Sequence, residues 1–300
     1  MKQALMQNKD WPNIAGLIGE APADIAFIGA PMTLGCVTPS DYHKAPDVFR
    51  NSLKRISTYD LETGVNLDST NVRDYGNIEC AALSPTDGFT PIVKAFGTII
   101  KAHKLSALIG GHNGVTRAGV HALDPSLKNI GLLTLDAHFD LRSTNDGPAN
   151  GNPVRCLLED GLPGAHIAQI GIAPFANTMD MHRTAIKEGI SVYTLADCHA
   201  RGSANIITQA LKKLSAKCTV IYVDFDIDVI ERALSPGAPG GRAGGFTPRT
   251  FFEAARIIGA HPKVRAVDLT EFDPGLDVND ITALIAGRWF AELLLGFSAR

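Results

Sequence analysis

Two stretches, Leu132-Leu133-Thr134-Leu135-Asp136-Ala137-His138-Phe139-Asp140 and Thr219-Val220-Ile221-Tyr222-Val223-Asp224-Phe225-Asp226-Ile227-Asp228, decide how this chain is read. In each, an apolar run of strand length gives way to ionisable side chains at every second position. Extended backbone puts alternate side chains on one face, so each triplet is expected to project together from the end of a buried strand. Continuous apolar strands belong to parallel sheets covered on both faces, and such sheets bind ligands beyond the carboxyl ends of their strands.

Working outward, comparable runs over 24–30, 71–75, 105–110, 129–136, 166–171, 191–193, 218–226 and 264–271 predict strands. Helical patterns over 91–103, 116–122, 177–188, 204–215, 248–260 and 279–295 alternate with them. That alternation predicts an α/β fold, a mostly parallel sheet with helices on both faces. Thr90-Pro91 and Thr247-Pro248 read as helix starts, a capping residue followed by proline, and Asp277 to Asp280 put acids at the start of the last helix. That helix is expected to lay Ile281, Leu284, Ile285, Phe290, Leu293 and Leu294 on the sheet. With no linker or repeat in view, residues 1–300 are expected to form one domain; the glycine-rich stretch 235–245 reads as a functional loop.

Composition narrows the function classes. Hydrophobic residues at 45% and charged residues at 20% exclude a disordered chain, and a net charge of -3 lacks the basic excess that nucleic acid requires. Cys36, Cys80, Cys156, Cys198 and Cys218 form neither a CxxC pair nor an even framework, which fits a reducing cytoplasm. Asn8, Lys9, Asp10 and Pro12 interrupt the amino terminus before a leader's apolar run develops, and no run reaches membrane-span length. No membrane association is expected.

Five carboxylates and an imidazole at two strand ends repel one another unless positive charge lies between them. A lone Asp after a strand ordinarily caps a helix or a turn, but capping does not call for two triplets of period two. Divalent cations are the simplest counter-charge. An oxygen-rich set with imidazole and no thiolate suits Mn²⁺ and tolerates Fe²⁺, Co²⁺, Ni²⁺ or Zn²⁺, and shared carboxylates suggest two ions activating a bridging water. Asp224 lies deeper in its strand and reads equally as a structural hydrogen-bonding group. A third strand end, Gly110-Gly111-His112-Asn113, offers another imidazole and an amide, and Glu271 brings an acid to the same rim that suits a cationic substrate.

At these residues the chain resembles the ureohydrolases: arginases, agmatinases and formimidoylglutamases. The resemblance is carried by DAHFDLR from Asp136 to Arg142, DFDID from Asp224 to Asp228, PGAPGGRAGGFTP from Pro236 to Pro248, and VDLTEFDP before TALIA from Thr282 to Ala286, and it extends over nearly the whole chain. It implies a three-layer α/β/α sandwich around an eight-stranded parallel sheet. It further implies a binuclear Mn²⁺ site, with Ni²⁺ an alternative, that hydrolyses a guanidinium or formimino C–N bond. By position, Asp136, His138, Asp140, Asp226 and Asp228 are the implied metal ligands, and Glu271 the acid that binds the guanidinium. Asp140 is the expected proton carrier.

The chain departs from the family pattern at two places. Asn113 stands where a ligand histidine is usual, with His112 one residue early, so either Asn113 lends a carbonyl oxygen or His112 enters the site. Asn150 precedes Gly151 where many relatives carry histidine, and is expected near the substrate. Ile230-Glu231-Arg232-Ala233 after DFDID resembles formimidoylglutamases and guanidino-compound hydrolases more than arginases. Formimidoylglutamate, agmatine, guanidino acids, alkylguanidines and biguanides are the substrates to test. Arg242 and Arg249 are offered as carboxylate holders, and loops 33–42, 142–153 and 174–182 as the shapers of recognition. A trimer or hexamer of like chains is implied by the resemblance. Asn113 and Asn150 also motivate an alternative, a non-catalytic subunit supporting an active ureohydrolase partner in a mixed oligomer.

Overall fold

A computed structural model describes residues 10–300, so the part of the leader reading that rests on residues 1–9 lies outside the described residues. All eight expected strands form, in one sheet. In chain order the strands are β1 (Ile25–Ala30), β2 (Tyr59–Asp60), β3 (Val65–Asn66), β4 (Val72–Asn77), β5 (Leu105–Gly110), β6 (Ile130–Leu135), β7 (Ile167–Ile172), β8 (Ser191–Thr194), β9 (Val220–Asp226) and β10 (Val264–Thr270). The sheet order is β4-β1-β5-β10-β9-β6-β7-β8, with every neighbouring pair parallel. Only the two-residue strands β2 and β3 stand apart, as a small antiparallel pair that periodicity is too short to reveal.

The helices are α1 (Ala45–Ser52), α2 (Pro85–Ala102), α3 (Val115–Leu123), α4 (Pro153–Glu159), α5 (Met179–Glu188), α6 (Leu195–Arg201), α7 (Ser203–Ser215), α8 (Pro248–Ala260) and α9 (Ile281–Phe297). Two apolar layers sandwich the sheet. Phe49, Ile207, Phe251, Trp289 and Phe290 pack on one face with Phe27 and Phe225; Ile92, Phe96, Val115, Leu157 and Ala185 pack on the other with Leu108 and Leu132. The strand interior is apolar on both faces because each faces a helix layer. No helix among the described residues is long and apolar enough to cross a membrane.

Three local expectations are corrected. Helix α2 starts at Ser84-Pro85, where the Ser84 hydroxyl accepts from the Asp87 N–H at 3.2 Å, so Pro91 lies inside the helix. Helix α9 is not capped by Asp280, which sits at φ +61; Asp277 reaches over to accept from the Thr282 and Ala283 N–H groups, both at 2.9 Å. Ile281 is exposed rather than laid on the sheet, whereas Trp289 is fully buried. Helices α1, α4 and α6, each of seven or eight residues, are too short for a strong period.

Candidate metal centre

The two aspartate-rich stretches leave their strands differently from the extended path read above. Strand β6 stops at Leu135, and the chain turns until Asp140 stands at φ +53, in the left-handed region. Strand β9 runs through Asp226, and a single 3₁₀ turn, Ile227–Val229, carries Asp228. Each strand-end acid stabilises its own turn. Asp136 Oδ1 accepts from the His138 N–H at 2.6 Å, and Asp226 Oδ1 from the Asp228 N–H at 2.8 Å. The turns, rather than strand periodicity, bring the side chains together.

Asp136, His138 and Asp228 present ligand atoms within 4.8 Å of one another. His138 Nδ1 lies 3.3 Å from Asp136 Oδ1 and 3.1 Å from Asp228 Oδ2. Asp136 Oδ2 and Asp228 Oδ1 are buried with no hydrogen-bond partner. Orphaned buried carboxylate oxygens are costly, and a cation is the partner that satisfies them. Gly240 closes this group: a Cβ there would collide with Asp228 Oδ2 and stand 3.2 Å from His138 Cε1.

A second group lies alongside. Asn113 Nδ2 donates to Asp140 Oδ2 at 2.9 Å and to Asp226 Oδ2 at 3.0 Å, while its Oδ1 accepts from the Thr116 hydroxyl at 2.6 Å. Turning the amide over would aim Oδ1 at the carboxylates and Nδ2 at Thr116, whose hydroxyl can then donate to Asp268 Oδ2, 2.7 Å away. Asn113, not His112, therefore faces the carboxylates. His112 is corrected to a structural role: Nε2 bonds the Leu34 carbonyl at 2.8 Å and Nδ1 accepts from the Gly114 N–H at 3.0 Å. Burial lowers its pKa to about 4, which keeps the ring neutral. Asp224 sits below the site, near the Thr270 hydroxyl at 3.3 Å and hydrogen-bonded to Asp268, which also accepts from Tyr222 at 2.8 Å.

Glu271 follows β10 at φ +60 and is gripped from three sides. Tyr42 donates its hydroxyl to Oε2; Oε1 accepts from the Asn113 N–H at 2.7 Å and from Asn150 Nδ2 at 3.1 Å. The other end of Asn150 accepts from the Val37 N–H at 2.9 Å. Tyr42 is a residue that sequence reasoning missed, because a lone tyrosine at the end of a loop carries no period or motif.

Burial dominates the electrostatics. It pushes Asp136 up to about 6, with Asp228 adding to the effect, and Glu271 up to about 7. Asp140 and Asp226 are raised well above the usual carboxylate range, by burial first and then by Asp136 beside Asp140 and Asp228 beside Asp226. Burial would disfavour a charged His138, but Asp228 and Asp136 lift it to about 11. The same pairing outweighs burial at Asp228 and holds its carboxyl low. Protons thus stand in for positive charge among these acids, and a divalent cation would displace them.

The acids floor a cleft of about 360 Å³. All three expected loops line it, through Val37 and Tyr42, Arg142 and Asn150, and Asn177 and Met181; Gly240 and Arg242 come from the glycine-rich loop. Arg249 does not line it, being exposed in the first turn of α8.

A family model described as the arginase family matches residues 23–296. Among curated proteins, a formimidoylglutamase of Halalkalibacterium halodurans is 33% identical over 90% of this chain and 86% of its own length. The mitochondrial guanidino acid hydrolase of Homo sapiens is 28% identical over 90% of this chain and 77% of its own. The crystal structure of formimidoylglutamase from Bacillus subtilis superposes with a TM-score of 0.91 at 27% identity, covering 97% of this chain and 93% of that one.

Proposed function

The chain belongs to the arginase family, and we propose that it is a metal-dependent hydrolase of guanidinium or formimino C–N bonds, releasing urea or formamide. Asp136, His138 and Asp228 hold one divalent ion in this reading; Asp140, Asp226 and the carbonyl oxygen of Asn113 hold a second. Mn²⁺ is the first choice for this oxygen-and-imidazole set and Ni²⁺ the alternative. When bound, such ions supply a nucleophilic hydroxide at neutral pH.

The remaining work falls to side chains. Glu271, anchored by Tyr42, Asn113 and Asn150, accepts hydrogen bonds from the amidinium and fixes its carbon over the floor of the cleft. The Asp140 carboxyl takes the proton from the attacking water and returns it to the leaving amine. Small-molecule substrate, cytoplasmic location and assembly as a homo-oligomer complete the proposal. The observation that carries it is the pair of orphaned oxygens on Asp136 and Asp228 beside His138.

The test is to strip the full chain of metal, reload it with Mn²⁺ or Ni²⁺, and assay urea and formamide across guanidino and formimino compounds. Metal-dependent product is expected; turnover that persists in stripped protein sinks the scheme. One observation favours the accessory-subunit alternative: the Asn113 amide already donates into the Asp140–Asp226 pair. Two ions per chain support the enzyme, and one or none supports the accessory role.

A further inference from the structure

The cleft has opposite charge at its two ends. Asp140, Asp226, Asp228 and Glu271 form a floor no more than 7% exposed, whereas Arg142 and Arg242 stand exposed at the mouth. Two divalent cations neutralise the four metal-holding aspartates. Glu271 is then the unbalanced negative charge inside, and the two guanidiniums are the unbalanced positive charges at the rim.

Neither arginine makes an ion pair among the described residues. Arg117 by contrast is held in a two-bond fork by Asp160, at 2.6 and 2.7 Å. Both rim side chains are nonetheless oriented. The backbone N–H of Arg142 donates to the Gly151 carbonyl at 3.2 Å, and its stem crosses Gly151 so closely that a Cβ there would lie 2.6 Å from Cδ and 2.9 Å from Nε. Arg242 Nη1 donates to the carbonyl of Gly240, the residue packed on Asp228. Each guanidinium is therefore tethered to backbone adjoining a side chain of the floor: Asn150, which holds Glu271, in one case and Asp228 in the other.

A substrate that complements this cleft carries a cationic amidine at one end and an anion at the other. We propose that Arg142 and Arg242 bind a substrate carboxylate, so that the enzyme acts on guanidino or formimino acids in preference to guanidino amines or neutral alkylguanidines. The inference rests on the hydrolase reading above and names its substrate class. Planar guanidinium forks suit carboxylates because two parallel hydrogen bonds form at once.

The experiment uses the full Mn²⁺-loaded chain and Arg142→Met, Arg242→Met and double variants, which keep the stems. The readout is the ratio of kcat/KM for an ω-guanidino or N-formimidoyl acid to that for its primary amide. Wild type is expected to favour the acid by about 100-fold and the double variant by less than about 10-fold, the scale of charged hydrogen bonds. Arg142→Glu should swing the preference toward an ω-guanidino amine. Calorimetric titration with glutarate gives a second readout that needs no turnover, and its affinity should fall roughly 10-fold or more in the double variant. Equal losses on acid and amide, or glutarate binding that is absent from wild type or unchanged in the variants, overturn the proposal. If wild type hydrolyses nothing in the panel while glutarate binding still depends on the arginines, the hydrolase reading fails and the carboxylate site stands.

Discussion

Asn113 Nδ2 donates to Asp140 Oδ2 at 2.9 Å, so an uncharged amide sits beside a buried carboxylate at the position where a cation is proposed. The same nitrogen reaches Asp226 at 3.0 Å. Asn113→Asp keeps the shape but replaces two donors with further acceptors. Metal-free variant should lose about 2–4 kcal/mol of stability from unpaired buried charge, whereas Mn²⁺ should raise its Tm more than it raises that of wild type. Thermal melts with and without Mn²⁺ check this, and a metal-induced gain no larger than wild type's contradicts it.

The acids of the centre make metal-free stability depend on pH. Asp136 at about 6 and Glu271 at about 7 bind protons more tightly folded than unfolded, and His138 at about 11 does too. Stability therefore falls as pH rises from about 4 to 7 through the carboxyls, and continues to fall above about 6.5 through His138. Metal-loaded protein should show the opposite slope over pH 5–7, because binding requires deprotonated ligands. Parallel slopes in the two forms would refute the assignment of these groups to the metal.

His138→Ala removes the imidazole between Asp136 and Asp228. We expect Mn²⁺ affinity and hydrolysis to fall by at least about 100-fold with the circular dichroism spectrum retained. Gly240→Ala reaches the same centre from the opposite wall, since its methyl would collide with Asp228 Oδ2. It should weaken Mn²⁺ by roughly 10–100-fold. Wild-type metal affinity in either variant would show that the ion binds elsewhere.

Away from the site, Arg117 and His121 of α3 clasp Asp160, just beyond α4. Burial pushes the Asp160 carboxyl upward, but His121 and Arg117 outweigh it and hold it at about 2. This contribution is fully present above the unfolded value near 4 and is lost as pH falls toward 2. Asp160→Asn should cost on the order of 1 kcal/mol at pH 7, discounted for partial exposure, and the difference from wild type should shrink below pH 4. A constant difference down to pH 2 would assign the effect to packing.

The sequence by itself determined the sheet. Apolar runs bounded by polar residues placed all eight strands, because a strand buried on both faces has no alternative but to be apolar throughout. It also announced the acids, since carboxylates directly after such runs are too costly to be incidental. Tertiary structure alone decided how those acids meet. The left-handed turn at Asp140 and the 3₁₀ turn at Asp228 replace the extended path that strand periodicity implied. Likewise, Asn113 rather than His112 enters the centre because Leu34 and Gly114, from two different loops, occupy both nitrogens of the ring. Tyr42 and Asn150 converge on Glu271 from 229 and 121 residues away. Contacts at that separation leave no local pattern, and they exist only once the sheet has brought its carboxyl ends together.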